Sequence, residues 1–120
     1  MGGMVIIMKM IKKEVNGVNF TFVCETYSNS RAWGHIVHLF RENYEVSFAK
    51  YRYYNRTWEC YMYQSCMQGA VREKLLELKK NIIDEYKYAN NIRRLSASQK
   101  ERVIAENDEF KLYSALYDTL

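Results

Sequence analysis

Proline is absent from all 120 residues, and glycine occurs only five times. A proline-kinked helix and a proline-rich linker are thereby excluded, and regular elements joined by short turns are expected. The glycines, Gly2, Gly3, Gly17, Gly34 and Gly69, match no phosphate-cradling or dinucleotide-binding pattern. Cysteine occurs three times, at Cys24, Cys60 and Cys66, with no Cys-x-x-Cys pair. An odd count without that spacing argues against a disulfide scaffold and for reduced thiols in a cytoplasmic protein. His35 and His38 are the only histidines. There is no long apolar run either. Met1–Met8 is apolar but stops at Lys9, too short for a signal peptide or a membrane span. Gly2 is no myristoylation site, because Ile6 stands where Ser or Thr is required.

What is present suits one domain with a modest core, since 48% of the chain is apolar and 27% is charged. The net charge of +4 is unevenly spread. Residues 72–102 carry nine basic and five acidic groups, whereas residues 103–120 carry one basic and four acidic. The excess permits contact with a polyanion without requiring it.

Taken in order, Met4–Val15 and Val18–Tyr27 read as two strands joined at Asn16-Gly17, the strongest hairpin signal in the chain. Ala32–Phe40 reads as a third strand and Tyr44–Tyr54 as a fourth. Asn55-Arg56 then turns into a fifth, Thr57–Tyr63, with Trp58, Cys60 and Met62 on one face and Glu59, Tyr61 and Tyr63 on the other. The period then changes. Met67, Val71, Leu75, Leu78, Ile82, Tyr86 and Ala89 recur every three or four residues, which marks an amphipathic helix. Ser65 is its expected N-cap, and Asn90-Asn91 its expected end. Ser98 with Glu101 fits a capping box that opens a second helix running to Tyr117.

The expected fold is therefore α+β. An antiparallel β-meander of four to five strands is followed by two C-terminal helices packed on one face. Residues 1–120 form a single domain, with a sheet part over 1–63 and a helical part over 64–120.

Little of this chain suits catalysis. On a strand, the three-residue spacing of His35 and His38 sends them to opposite faces, which is unsuited to a shared metal. No base adjoins Cys60 or Cys66, and buried free cysteine behaves as a small hydrophobe. No pair of carboxylates is singled out for acid–base work. The expectation is a non-enzymatic protein with no catalytic residues, no metal and no cofactor.

Binding is a better match. Tyr51–Val71 holds five of the eleven tyrosines, and Lys50, Arg52 and Arg56 interleave with Tyr51, Tyr53 and Tyr54. Such a mixture suits single-stranded nucleic acid, a protein partner, or plain sheet packing with solvated charges. With Trp58, Cys60 and Met62 turned inward, the candidate partner-binding residues are Tyr51, Arg52, Tyr53, Arg56, Glu59, Tyr61 and Tyr63.

The block Tyr53-Tyr-Asn-Arg-Thr-Trp58-Glu-x-Tyr-x-Tyr63-Gln-Ser-x-Met-x-Gly-Ala-Val71 resembles one that recurs in small proteins of Gram-positive phages, plasmids and integrative elements. That resemblance brings no catalytic residues with it. It implies an accessory gene of a mobile element, acting in the cytoplasm of a bacterial host, in a setting where anti-CRISPR proteins occur. The function it leads us to expect is inhibition of a type II RNA-guided nuclease by direct protein–protein blockade. The alternatives are a nucleic-acid-binding accessory factor of plasmid or phage replication, and self-association through an exposed strand edge.

Overall fold

The computed structural model describes residues 4–28, 33–53 and 62–120. Four strands, β1 (Met4–Val15), β2 (Val18–Ser28), β3 (Trp33–Arg41) and β4 (Tyr44–Tyr53), form one antiparallel sheet in chain order. Three helices follow: α1 (Met62–Ala89), α2 (Ala97–Ala105) and α3 (Asp108–Asp118). The expected α+β meander with its helices at the C-terminal end is what forms.

The turns explain the register. Asn16 and Gly17 both take positive φ, 51° and 81°, so Val15 pairs directly with Val18 across a two-residue turn. Between β3 and β4, Arg41 pairs with Tyr44 and Glu42 sits at φ 52°. That backbone is held from the neighbouring hairpin. The Glu42 amide donates to the Asn19 carbonyl at 2.8 Å, and the Glu42 carboxylate accepts from the Asn19 amide at 3.1 Å.

One face of the sheet is covered. Phe20, Phe22 and Cys24 of β2 and Val37 and Leu39 of β3 meet Cys66, Met67, Ala70 and Val71 of α1 and Leu112, Tyr113 and Leu116 of α3. The Phe20 and Tyr113 rings meet edge to face, 5.4 Å apart. The crossing of α1 over β4 is close because the residues there are small. Ser47 donates to the Ala70 carbonyl at 2.7 Å, and a Cβ on Gly69 would stand 3.3 Å from that of Ala49. Ile82, Ile83 and Leu95 are also buried, but they lie apart from this main cluster.

Several expectations need correction. Of the fifth strand expected over Thr57–Tyr63, residues 57–61 lie outside the described residues, and Met62 and Tyr63 instead open α1. Ser65 is therefore inside the helix rather than its cap. Tyr63 packs against the main core from the first helical turn, and that burial outweighs the aromatic alternation that suggested a strand. The Asn55-Arg56 turn, Trp58 and Cys60 also lie outside the described residues.

The expected end of α1 holds. Asn91 takes φ 52°, and the Ile92 and Asn91 amides reach back to the Lys87 and Tyr88 carbonyls, a Schellman arrangement. The helix expected from Ser98 to Tyr117 is two helices. α2 is capped by Ser96, whose hydroxyl accepts from the Gln99 amide while the Gln99 side chain accepts from the Ser96 amide. The capping box is thus set two residues before the expected one. Asn107 then breaks the pattern by accepting from the Phe110 amide at 3.0 Å, and Asp108 and Glu109 sit favourably in the first turn of α3.

Candidate partner interface

Of the seven residues singled out from the sequence, Tyr51 and Tyr63 are drawn into the packing between sheet and helices. Tyr51 is half-buried on the helix-covered side of β4. Its hydroxyl donates to the Ser65 carbonyl and accepts from Arg72, both at 3.3 Å. Arg72 also donates to the Tyr117 hydroxyl at 3.1 Å, which raises its pKa further. Tyr51 therefore clamps β4 to α1, and Arg72 carries the link on to α3. Tyr63 is likewise turned inward: its hydroxyl is bonded to that of Thr26, and its ring packs on His35. Both tyrosines were expected on an exposed face and rim, and burying their rings against the sheet is what places them here instead. Arg52 and Tyr53 occupy the β4 positions opposite Gly34 and Trp33. Arg56, Glu59 and Tyr61 lie outside the described residues.

Burial shifts Cys24, Cys66 and His35 each toward its neutral form. The Cys66 thiol donates to the Ala49 carbonyl at 3.3 Å, and burial pushes its pKa up to about 12. Burial likewise raises Cys24 to about 11. Neither is a thiolate at neutral pH, so neither is primed as a nucleophile. His35 is 1% exposed, and burial lowers its pKa. His38 is on the opposite face, as the strand spacing requires. No group of three His, Cys, Asp or Glu among the described residues converges as a metal site would need. No helix there is long and apolar enough to cross a membrane.

The outward face of the sheet is the surface the sequence reading missed. No element among the described residues packs on it. The strand register places its residues in rows across the four strands. One row runs Met10, Val23, His38, Phe48, and the next runs Met8, Glu25, Ile36, Lys50. Met8, Met10 and Phe48 are 61%, 60% and 58% exposed. His38 sits at the centre, bonded through Nδ1 to Glu45, 3.9 Å from Glu25, and stacked at 6.1 Å on Phe48. Lys50 stands 5.3 Å from the Tyr27 ring centroid. The result is an apolar surface with a fixed polar hub and charged margins, the anatomy of a protein interface.

A signal for this face was present. β3 carries apolar residues at both alternating sets of positions, with Val37 and Leu39 on one side and Ile36 and Phe40 on the other. A strand apolar on both faces is expected to be covered twice, yet α1 and α3 cover only one. Comparison with protein-family models, with curated proteins and with solved structures gave no match.

Proposed function

We propose that this chain is a non-enzymatic binding protein that docks the outward face of its sheet on a protein partner. The observation that carries this reading is the exposed row from Met10 to Phe48, which leaves large apolar side chains in water beside the His38–Glu45 hub. The thiols held protonated by burial give no support to nucleophilic chemistry. The resemblance of the Tyr53–Val71 block names the partner class, a host defence protein. In its most concrete form, the chain is an anti-CRISPR that docks on a type II RNA-guided nuclease and blocks guide, target or PAM engagement in the bacterial cytoplasm.

The test is co-expression of the chain with an active type II nuclease and a targeted plasmid. Protection of the plasmid is expected, with loss of protection in Met10→Glu. Unimpaired cleavage across several type II nucleases overturns the partner assignment. A pull-down in which Met10→Glu retains every partner overturns the sheet face as the docking surface.

The placement of Lys50 over Tyr27 on the same face favours a second reading, a nucleic-acid-binding accessory factor. It requires binding that weakens steeply with salt. Mobility shifts at low and moderate salt decide it, and no shift with single- or double-stranded DNA or RNA removes it.

A further inference from the structure

Beyond the main core, the last turn of α1, the link over residues 90–96 and the first turn of α2 form a tip of the molecule. From Tyr86 to Lys100 this stretch holds four basic residues, Lys87, Arg93, Arg94 and Lys100, and no acidic one. Its charge of +4 equals that of the whole chain. The fold keeps the cations together. The Ile92 amide donates to the Lys87 carbonyl at 2.9 Å, so the chain doubles back at once, and Ser96 then caps α2. Lys87 lies in the last turn of α1, where it also complements the carbonyl end of the helix. Arg93, Arg94 and Lys100 are exposed. Among the described residues none of the four is in an ion pair. Glu85 and Glu101 bound the stretch without neutralising it, and Glu85 lines the cleft between α1 and α2 with Glu106.

The rest of this chain does not cover the tip. Residues 1–3, 29–32 and 54–61 attach at the other end of the sheet, where Met4, Ser28, Trp33 and Tyr53 stand in adjacent register. The axis of α1 carries Lys87 about 37 Å from Met62. The longest of those segments, tethered at Tyr53 and Met62, reaches about 16 Å at most.

The side chains at the tip select a partner. Cations held close together without carboxylates match a row of phosphates. Tyr88, in the last turn of α1, is 91% exposed, and no ring or cation among the described residues packs on it. A phenol face standing in water beside cations suits a base, and only an unpaired base offers its own face. An anionic lipid surface matches less well. Docking on lipid buries aliphatic side chains, and of the exposed large apolar residues only Tyr88 and Ile92 stand at the tip. A carboxylate-rich protein segment would pair with the cations but leave the phenol face bare.

We propose that this tip binds single-stranded nucleic acid, with phosphates on Lys87, Arg93, Arg94 and Lys100 and an unpaired base stacked on Tyr88. The site lies apart from Lys50 and Tyr27, which stand near the opposite end of the sheet. It goes beyond the docking of the sheet face on a protein and stands without it.

The test measures fluorescence anisotropy of a short labelled oligonucleotide of mixed sequence with the full-length chain. Single-stranded DNA, single-stranded RNA and duplex are titrated between about 50 and 200 mM salt. Single strands are expected to bind more tightly than duplex, with a slope of log K against log salt of about −3 for four phosphates. Arg93→Gln with Arg94→Gln should make that slope shallower by about 1.4. Tyr88→Ala should weaken binding about tenfold and leave the slope unchanged. Circular dichroism verifies that the variants are folded. Absence of binding at low salt overturns the proposal, and so does binding that the Arg93 and Arg94 substitutions leave unaltered. A preference for duplex, or no effect of Tyr88→Ala, overturns the single-strand assignment. Tighter binding to phosphatidylglycerol vesicles, or equal displacement by polyglutamate, overturns nucleic acid as the partner. Binding lost in Lys50→Gln but kept in the tip variants moves the site to the sheet and overturns it as well. Plasmid protection without oligonucleotide binding removes the tip site and leaves the sheet face. Oligonucleotide binding without protection removes the nuclease assignment and leaves the tip.

Discussion

The phenol ring of Tyr63 lies 4.4 Å from the imidazole of His35, tilted by 59°. The contact joins the first turn of α1 to the middle of the sheet and excludes water from the imidazole. Burial lowers the pKa of His35 below its ordinary value of 6.5. The unfolded chain takes up this proton near pH 6.5, whereas the folded chain does so only at lower pH. Between those two pH values the unfolded state holds more protons, so stability rises with pH there. The contribution is complete above about pH 6.5 and is lost as pH falls through the folded-state pKa. Urea midpoints at pH 7.5 and 5 should therefore fall further for the parent chain than for His35→Phe. Equal falls would remove His35 as the cause.

Both buried thiols should be silent to a disulfide reagent in the folded state. With Cys60→Ser as background, Cys24 and Cys66 should react only at the rate of unfolding, and completely in denaturant. Stoichiometric fast labelling without denaturant would contradict the burial of Cys24 and Cys66.

Two glycines should differ sharply on conversion to alanine. At Gly34 a Cβ would stand 2.3 Å from the Tyr51 carbonyl and 2.6 Å from the Tyr27 hydroxyl. A backbone oxygen on a paired strand has no easy retreat, so Gly34→Ala should cost about 3 kcal/mol or more, by analogy with severe overpacking. At Gly69 the nearest atom is the Tyr51 hydroxyl, at 2.5 Å, a side-chain end that can shift at the expense of its bonds to Ser65 and Arg72. The cost of moving it is offset by about 1 kcal/mol of helix propensity gained. Thermal unfolding of the two variants gives the comparison, and the larger loss should belong to Gly34→Ala.

Phe48→Glu should change stability by less than about 1 kcal/mol, since the ring already stands mostly in water. It should nevertheless abolish partner inhibition, because it places a carboxylate on the docking surface in place of an apolar ring beside His38. Inhibition retained with normal folding would move the interface elsewhere.

These outcomes reflect what the sequence made legible. Asn16-Gly17 fixed its hairpin because both residues accept positive φ locally, and Asn90-Asn91 ended α1 for a related reason. Alternation separated the two faces of β3 and sent His35 and His38 apart. It did not say which face of the sheet would be covered. In β4 the large Phe48 faces water while small Ser47 and Ala49 face the helix. That choice is made by Gly69 and Ala70, distant in sequence, whose small size draws α1 onto the strand. Tyr51 and Tyr63 looked like surface aromatics for the same reason: what buries them is a partner element, not a neighbour in the chain. Asn107 reads equally well as a helix interior or as a cap, and only the turn it closes distinguishes them.

At 28 residues, α1 is about 42 Å long and outruns a ten-residue strand of about 33 Å. Ile82 and Ile83 of its far half, and Leu95 just beyond its end, are buried outside the main core. These residues are near one another in sequence, whereas Cys66, Met67, Ala70 and Val71 of the near half pack in a core drawn from across the chain. The two halves of one helix therefore belong to different cooperative units. Amide hydrogen exchange should show residues 82–105 opening as a block while residues 66–71 exchange only on global unfolding.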